Sequence, residues 1–146
     1  MQQETTNQLL NRLLVIHNRS LPIYLRSAVP WWADRGQHAR ATLDQIVADQ
    51  QHMVDRIGTL IIENNGRVEL GEFPISFTAL HDLSGDFLVL KMCEYQRQSV
   101  AAIERIVARL ADQPRPHALA QQAFGMAQAH LDMLDELARH AVDASV

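Results

Sequence analysis

The sequence has few of the residues that mark several common classes of protein. Cys93 is the single cysteine among 146 residues, so an intrachain disulfide is excluded, and one free thiol suits a reducing compartment. Aromatic residues make up only 5% of the chain, and alternating runs of Val, Ile and Thr are scarce. Because strands favour exactly those residue types, this composition disfavours a sheet protein.

Clustered basic charge and long apolar runs are also missing. The formal net charge is −4 and no basic run occurs, so we expect no binding to nucleic acid or to an anionic membrane surface. No apolar run approaches the ~20 residues that span a bilayer. The start of the sequence, MQQETTNQLL, has neither the positive nor the apolar region of a signal peptide. These features favour a cytoplasmic protein.

What the sequence does contain is apolar residues at helical spacing. Its length predicts one domain, 1–146, with a hydrophobic core. The three-and-four spacing predicts four helices, at about 6–27, 37–64, 79–112 and 117–143. Pro22 interrupts the first of these, where we expect a kink and not an end, because the apolar pattern resumes beyond it. Gln113-Pro114-Arg115-Pro116 separates the last two helices.

The connection between the second and third predicted helices is long. Residues 65–78 include Gly66, Gly71 and Pro74 and show no helical period, which predicts an irregular crossover. Two helix pairs with short turns, joined by one long crossover, form a known class of bundle. The sequence therefore predicts an all-α, up-down-down-up four-helix bundle.

Ionisable residues interrupt the apolar faces of these helices. In Asp49-Gln50-Gln51-His52 a carboxylate and an imidazole lie three residues apart, so both sit on one face of the second helix. His17 and His130 occupy apolar positions of the first and fourth helices. Glu94 interrupts an apolar row of the third, formed by Leu83, Phe87, Leu90 and Ala101.

Buried ionisable groups of this kind need partners, because an unpaired one costs several kcal/mol or becomes neutral. Two explanations are open. The three imidazoles and two carboxylates suit coordination of iron, manganese or zinc. Alternatively, the same groups hydrogen-bond to each other across the core.

At these positions the sequence resembles the bacterioferritin and rubrerythrin branch of the ferritin-like proteins, over nearly the whole chain. In that family the second and fourth helices each carry E-x-x-H, and the first and third each give one Glu. Here the matching segments are Asn11-Arg12-Leu13-Leu14-Val15-Ile16-His17, Asp49-Gln50-Gln51-His52 and Ala127-Gln128-Ala129-His130. Glu94 precedes His130 by the family's separation, and Tyr24 lies one heptad after His17.

The resemblance implies a ferritin-like bundle with a metal, most simply one or two iron ions, in its core. The implied ligands are His17, Asp49, His52, Glu94 and His130, with Tyr24 lying behind them. Manganese and zinc are compatible with the same set. No haem is expected, because Gln50 stands where bacterioferritins place their haem-ligating Met.

The sequence departs from the family pattern at three ligand positions. His17 replaces a Glu, Asp49 is one methylene shorter than a Glu, and Ala127 has no ligand atom. Asp49 and Glu94 supply only two negative charges, which is little for two adjacent cations. A single metal ion, an asymmetric pair and a polar core without metal are therefore all open.

Two functions follow. The first is a ferritin-like metal-binding protein, with ferroxidase-type redox chemistry as its extension; the second is a metal-free bundle that serves as a structural or protein-interaction module. The residues do not distinguish an enzyme from a binding protein. The resemblance also implies a homodimer at least, and Trp31-Trp32 between the first two helices would suit a contact patch or simply cap the core.

Overall fold

A computed structural model of the chain describes residues 5–28, 37–80 and 85–144, and these are all-helical, as the sequence predicts. Within those ranges no strand occurs. None of the helices described is long and apolar enough to cross a membrane. The elements are α1 (Thr6–Asn18), α2 (Leu21–Ala28), α3 (Gln37–Glu63), a 3₁₀ helix (Ile75–Leu80), α4 (Gly85–Arg109) and α5 (Pro114–Ala144).

Helix packing builds two apolar clusters. α1 packs along α3, α4 packs along α5, and α3 and α5 also touch. The first apolar cluster consists of Leu9, Leu10, Leu13, Leu14, Met53, Ile57, Leu60, Ile61, Ile103, Ile106, Leu110, Leu119, Ala120, Ala123 and Ala127. The second consists of Leu21, Leu25, Ala39, Leu43, Ile46, Val47, Phe77, Leu80, Leu88, Val89, Met92, Cys93, Leu134 and Leu137. Burial of these side chains is the main favourable contribution to folding.

The expected kink at Pro22 is a complete break. α1 ends at Asn18 and α2 begins at Leu21. Proline has no N–H to donate, and its ring would collide with the carbonyl of Asn18 four residues earlier, so the first helix stops there. In the first turn of α2 the missing N–H costs nothing. The Ser20 hydroxyl accepts a hydrogen bond from the Ile23 N–H at 3.3 Å, which caps this new helix.

Two predicted helix starts also differ from the structure. α5 begins at Pro114, not at residue 117, because prolines are tolerated in the first turn of a helix, where N–H groups lack partners. The 3₁₀ helix Ile75–Leu80 takes up the end of the predicted crossover and the predicted start of the third helix at residue 79. α4 itself starts at Gly85. Leu83, Trp31 and Trp32 lie outside the described residues.

The predicted inward row of α4 at Phe87, Leu90, Glu94 and Ala101 is wrong. Phe87 and Leu90 are 44% and 54% exposed. Apolar residues lie on more than one side of this helix, so their spacing is compatible with two different buried faces. The face that packs against the rest of the protein contains Leu88, Val89, Met92, Cys93, Gln96, Ile103 and Ile106.

The crossover after α3 is attached to α1 by asparagine side chains. The Asn11 amide donates to the Arg67 carbonyl and accepts from the Glu69 N–H, both at 2.8 Å. Asn18 donates to the Leu70 carbonyl at 2.9 Å, and Arg19 donates to the Gly71 carbonyl at 3.0 Å. Because Asn11 is only 8% exposed, its amide replaces water for two backbone groups of the crossover.

Close contact also explains a glycine in this segment. Gly71 has φ +71°, and a Cβ there would lie 2.7 Å from the Val15 side chain. A residue with a side chain would therefore meet both backbone strain and a collision with α1.

Replacing Asn11 with Ala should destabilise the protein by about 1–3 kcal/mol, because both crossover hydrogen bonds are lost from a buried position. Asn18→Ala is the matched control, since Asn18 makes one exposed hydrogen bond to the same segment. Urea denaturation of both variants measures the difference. If Asn11→Ala lowers the free energy of unfolding no more than Asn18→Ala does, the crossover does not depend on the buried amide.

Candidate functional site

Each of the four long helices contributes one buried polar side chain at the same level of the core. His17 of α1, Gln50 of α3, Gln96 of α4 and His130 of α5 are each at most 5% exposed. On α3, α4 and α5 the polar residue falls between residues of the first apolar cluster and residues of the second, and His17 falls between the first-cluster residues of α1 and the second-cluster residues of α2. These four side chains form a polar layer that divides the core into two apolar halves.

His17 has one satisfied and one unsatisfied ring nitrogen. Its Nδ1 lies 2.8 Å from the carbonyl oxygen of Leu13, and its buried Nε2 has no hydrogen-bond partner among the described residues. A carbonyl can only accept, so Nδ1 carries the hydrogen and Nε2 presents a lone pair. Burial lowers the pKa of His17 to about 4, which the Leu13 hydrogen bond opposes and neighbouring His130 reinforces. His17 is therefore neutral at pH 7.

His130 has the complementary arrangement. Its Nε2 lies 2.8 Å from Oδ2 of Asp49 on α3, while its buried Nδ1 has no partner within the described part of the chain. The carboxylate accepts, so Nε2 donates and Nδ1 presents the lone pair. The other oxygen of Asp49 accepts a hydrogen bond from the Gln45 amide at 2.8 Å. Both carboxylate oxygens are thus engaged, and they fix the orientation of the His130 ring.

Both histidines line one small cavity, whose volume is about 10 Å³. This is close to the smallest space that holds one water molecule or ion. The other lining residues are Ile16, Gln50, Gln96, Ser99, Ile103 and Ala127. The carbonyl oxygen of the Gln50 side chain accepts from the Ser20 hydroxyl at 2.6 Å, and the Gln96 amide donates to the Ala127 carbonyl at 2.9 Å.

The two histidines that line the cavity therefore each have one acceptor nitrogen without a hydrogen-bond partner among the described residues. His17 Nε2 and His130 Nδ1 are both buried, and leaving such an atom unsatisfied costs about 1–3 kcal/mol. A species that donates two hydrogens, or a metal ion that accepts two lone pairs, would satisfy both atoms at once. The site is chemically suited to one small guest.

The other predicted ligands lie elsewhere. His52 is exposed on α3. Glu94 is also exposed and forms a surface ion pair with Lys91 at 3.3 Å, so its predicted inward position is wrong, for the same reason as the predicted face of α4. Over the ranges that the structure describes, no group of three or more His, Cys, Asp or Glu side chains is placed to hold a metal ion.

Tyr24 lies in an aromatic group below the second apolar cluster. Its ring packs 5.2 Å from Phe73 and 5.4 Å from Phe77, which in turn contacts Tyr95. These contacts attach the crossover and the 3₁₀ helix to α2 and α4. Tyr24 therefore has a packing role, and its predicted position behind the metal ligands stays a prediction.

Two members of the polar layer, Gln50 and Gln96, were not predicted as site residues. The signal for them is a polar residue inside a buried row at helical spacing. Gln50 stands between Ile46 and Met53, and Gln96 stands between Met92 and Ile103. Because glutamine is neutral, attention to ionisable residues alone passes over it.

Cys93 is buried in the second apolar cluster. Desolvation, together with a smaller contribution from neighbouring Asp135, raises the pKa of its thiol to about 11. The thiol is protonated at neutral pH and is therefore a poor nucleophile.

Comparison with known proteins assigns no family to the chain. No protein-family model matches the sequence, and no curated protein is significantly similar to it.

Stability should fall as the pH drops from 6.5 to 4, through His17. The folded state keeps His17 neutral until about pH 4, whereas the unfolded chain takes up a proton near the ordinary value of 6.5. The unfolded state then binds more protons, which costs the folded state about 3 kcal/mol across this window. Urea denaturation of the wild type and of His17→Leu at several pH values measures the effect.

The difference between the two proteins removes the contribution of the surface carboxylates, which titrate in both. We expect the unfolding free energy of the wild type to decline relative to His17→Leu below pH 6.5. Parallel curves would contradict a neutral, buried His17.

Proposed function

We propose that the chain is a ferritin-like four-helix bundle that binds a single transition-metal ion between His17 and His130. The observation that carries the proposal is the pair of buried ring nitrogens, Nε2 of His17 and Nδ1 of His130, that line one cavity without a partner. Imidazole nitrogens with free lone pairs suit zinc, copper, iron and nickel.

The order of the two apolar clusters along the helices supports the bundle topology. α5, and α1 followed by α2, run from the first cluster through the polar layer to the second, whereas α3 and α4 run from the second to the first. If α1 and α2 are taken as one arm, this order is up-down-down-up, which is the connectivity of ferritin-like bundles.

The outer partners of the two histidines support metal binding. Metal-ligating histidines nearly always donate their second N–H to a carboxylate or a backbone carbonyl, which fixes the tautomer and makes the ligating nitrogen more basic. Here Asp49 and the Leu13 carbonyl occupy those two positions. The low pKa of His17 keeps it in the neutral form that a metal requires.

A dinuclear iron centre of the family type does not fit these residues. Two adjacent cations need several carboxylates to neutralise their charge. Ala127 has no ligand atom, Glu94 lies on the surface, and both oxygens of Asp49 are already hydrogen-bonded. The proposal is therefore limited to one ion held by histidine nitrogens, without iron storage or oxygen chemistry. The homodimer that the resemblance implies stays a prediction, and Trp31-Trp32, its candidate contact patch, lies outside the described residues.

A metal-free module is the second candidate, and the size of the cavity favours it. About 10 Å³ is close to the minimum for one water molecule. Such a water would donate one hydrogen to His17 and one to His130, and the polar layer would then be purely structural.

Metal content separates these two candidates. Protein purified without a metal-affinity tag and reconstituted anaerobically with Zn(II), Fe(II) or Cu(I) should retain about one equivalent of at least one of these ions, as measured by elemental analysis. His17→Gln and His130→Gln should each lose it, because each removes one of the two ligating nitrogens. His52→Gln should retain it, since His52 is exposed and is not among the residues that line the cavity.

Circular dichroism of each variant establishes that it is folded. No retained metal in the folded wild type would favour the water-filled, structural module. Loss of metal in His52→Gln as well as in the two core variants would instead indicate that His52 is a ligand, as the sequence implies.

A further inference from the structure

We infer that the ion suited to this cavity is monovalent copper, Cu(I). The inference rests on the proposed function and concerns which ion the two histidines select. It follows from the charge of the surroundings and from the number of donors that they provide.

The charge near the cavity favours a monovalent cation. Histidine binds a metal ion as a neutral ring, and apart from the two histidines the residues that line the cavity have no acidic or basic side chain. One negative charge is close, on Asp49, whose carboxylate is hydrogen-bonded to the far side of the His130 ring. A buried charge without compensation costs several kcal/mol. Cu(I) with Asp49 sums to zero, whereas a divalent ion leaves one uncompensated positive charge.

The number of donors also favours Cu(I). Zinc sites in proteins are almost always four-coordinate, and iron and manganese take additional oxygen ligands. The cavity offers two free imidazole nitrogens. Its side-chain oxygens belong to the neutral residues Gln50, Gln96 and Ser99, and the Gln50 oxygen is already engaged by Ser20. A volume of about 10 Å³ leaves little space for the waters that would complete a larger coordination shell. Cu(I), a closed-shell ion, is stable with two nitrogen donors.

The test is anaerobic Cu(I) titration against the chromophoric chelator bicinchoninate, with Zn(II) titrated in parallel against a dye. Cys93→Ala serves as the starting protein, because a thiol would otherwise compete for Cu(I). We expect one equivalent of Cu(I) to be retained, and to be lost in His17→Gln and in His130→Gln. Asp49→Asn should weaken Cu(I) binding about 10- to 100-fold, the usual effect of removing an outer partner of a ligating histidine.

His52→Gln is the control, and its Cu(I) affinity should equal that of the starting protein. X-ray absorption of the copper-loaded protein gives a readout that needs no core variant, and it should show nitrogen neighbours only. This keeps the inference testable if the histidine variants do not fold, as does Asp49→Asn, whose side chain is 35% exposed.

Each other outcome overturns a defined part of the proposal. One equivalent of Zn(II), lost in His17→Gln, with no Cu(I) held against the chelator, would overturn the selection of copper and leave the proposed function intact. Retention of neither ion would overturn both. Cu(I) held equally by His17→Gln and His130→Gln would show binding at the surface histidines and would overturn the inference.

Discussion

The structure depends on a polar layer that contains two buried histidines. One ring nitrogen of each histidine is hydrogen-bonded, and the other has no partner among the described residues and lies at a cavity that both rings line. Polar groups at this depth are tolerated only when they have partners. Three hydrogen bonds between separate elements supply them: Ser20 donates to Gln50, His130 donates to Asp49, and Gln96 donates to the Ala127 carbonyl. Together they connect the junction of α1 and α2, α3, α4 and α5 at one level of the core.

This layer also specifies how the helices align. If one helix slid by a turn, its polar residue would enter an apolar cluster, and the partners it left would lose their hydrogen bonds. The break at Pro22 belongs to the same arrangement. Because α1 stops at Asn18, Ser20 is free both to cap α2 and to donate its hydroxyl to Gln50. A buried polar layer therefore gives the bundle specificity at the same place where it creates a candidate binding site.

The sequence predicts the all-helical class and the apolar faces of α3 and α5, since both show one consistent stripe. It mispredicts which apolar row of α4 points inward. Apolar residues lie on two sides of this helix, and only packing against α5 decides which side is buried. That error moved Glu94 into the core and left Gln96 out of it. His17 and His130 lie in the core, as the sequence predicts, whereas Asp49, which it predicts as a metal ligand, is hydrogen-bonded through both oxygens to His130 and Gln45. Which ring nitrogen each histidine leaves free depends on atomic contacts, which no periodicity encodes.

The most direct test of the polar layer is the tautomeric state of its histidines, measured by long-range ¹H–¹⁵N NMR of the imidazole rings at pH 7 with no metal added. The structure predicts a neutral His17 with its hydrogen on Nδ1, and a His130 that donates from Nε2 to Asp49. With that result, two lone pairs face the cavity, as metal binding requires. A protonated His17, or a hydrogen on the cavity-facing nitrogen of either ring, would contradict the proposed site, because that nitrogen could then not bind an ion.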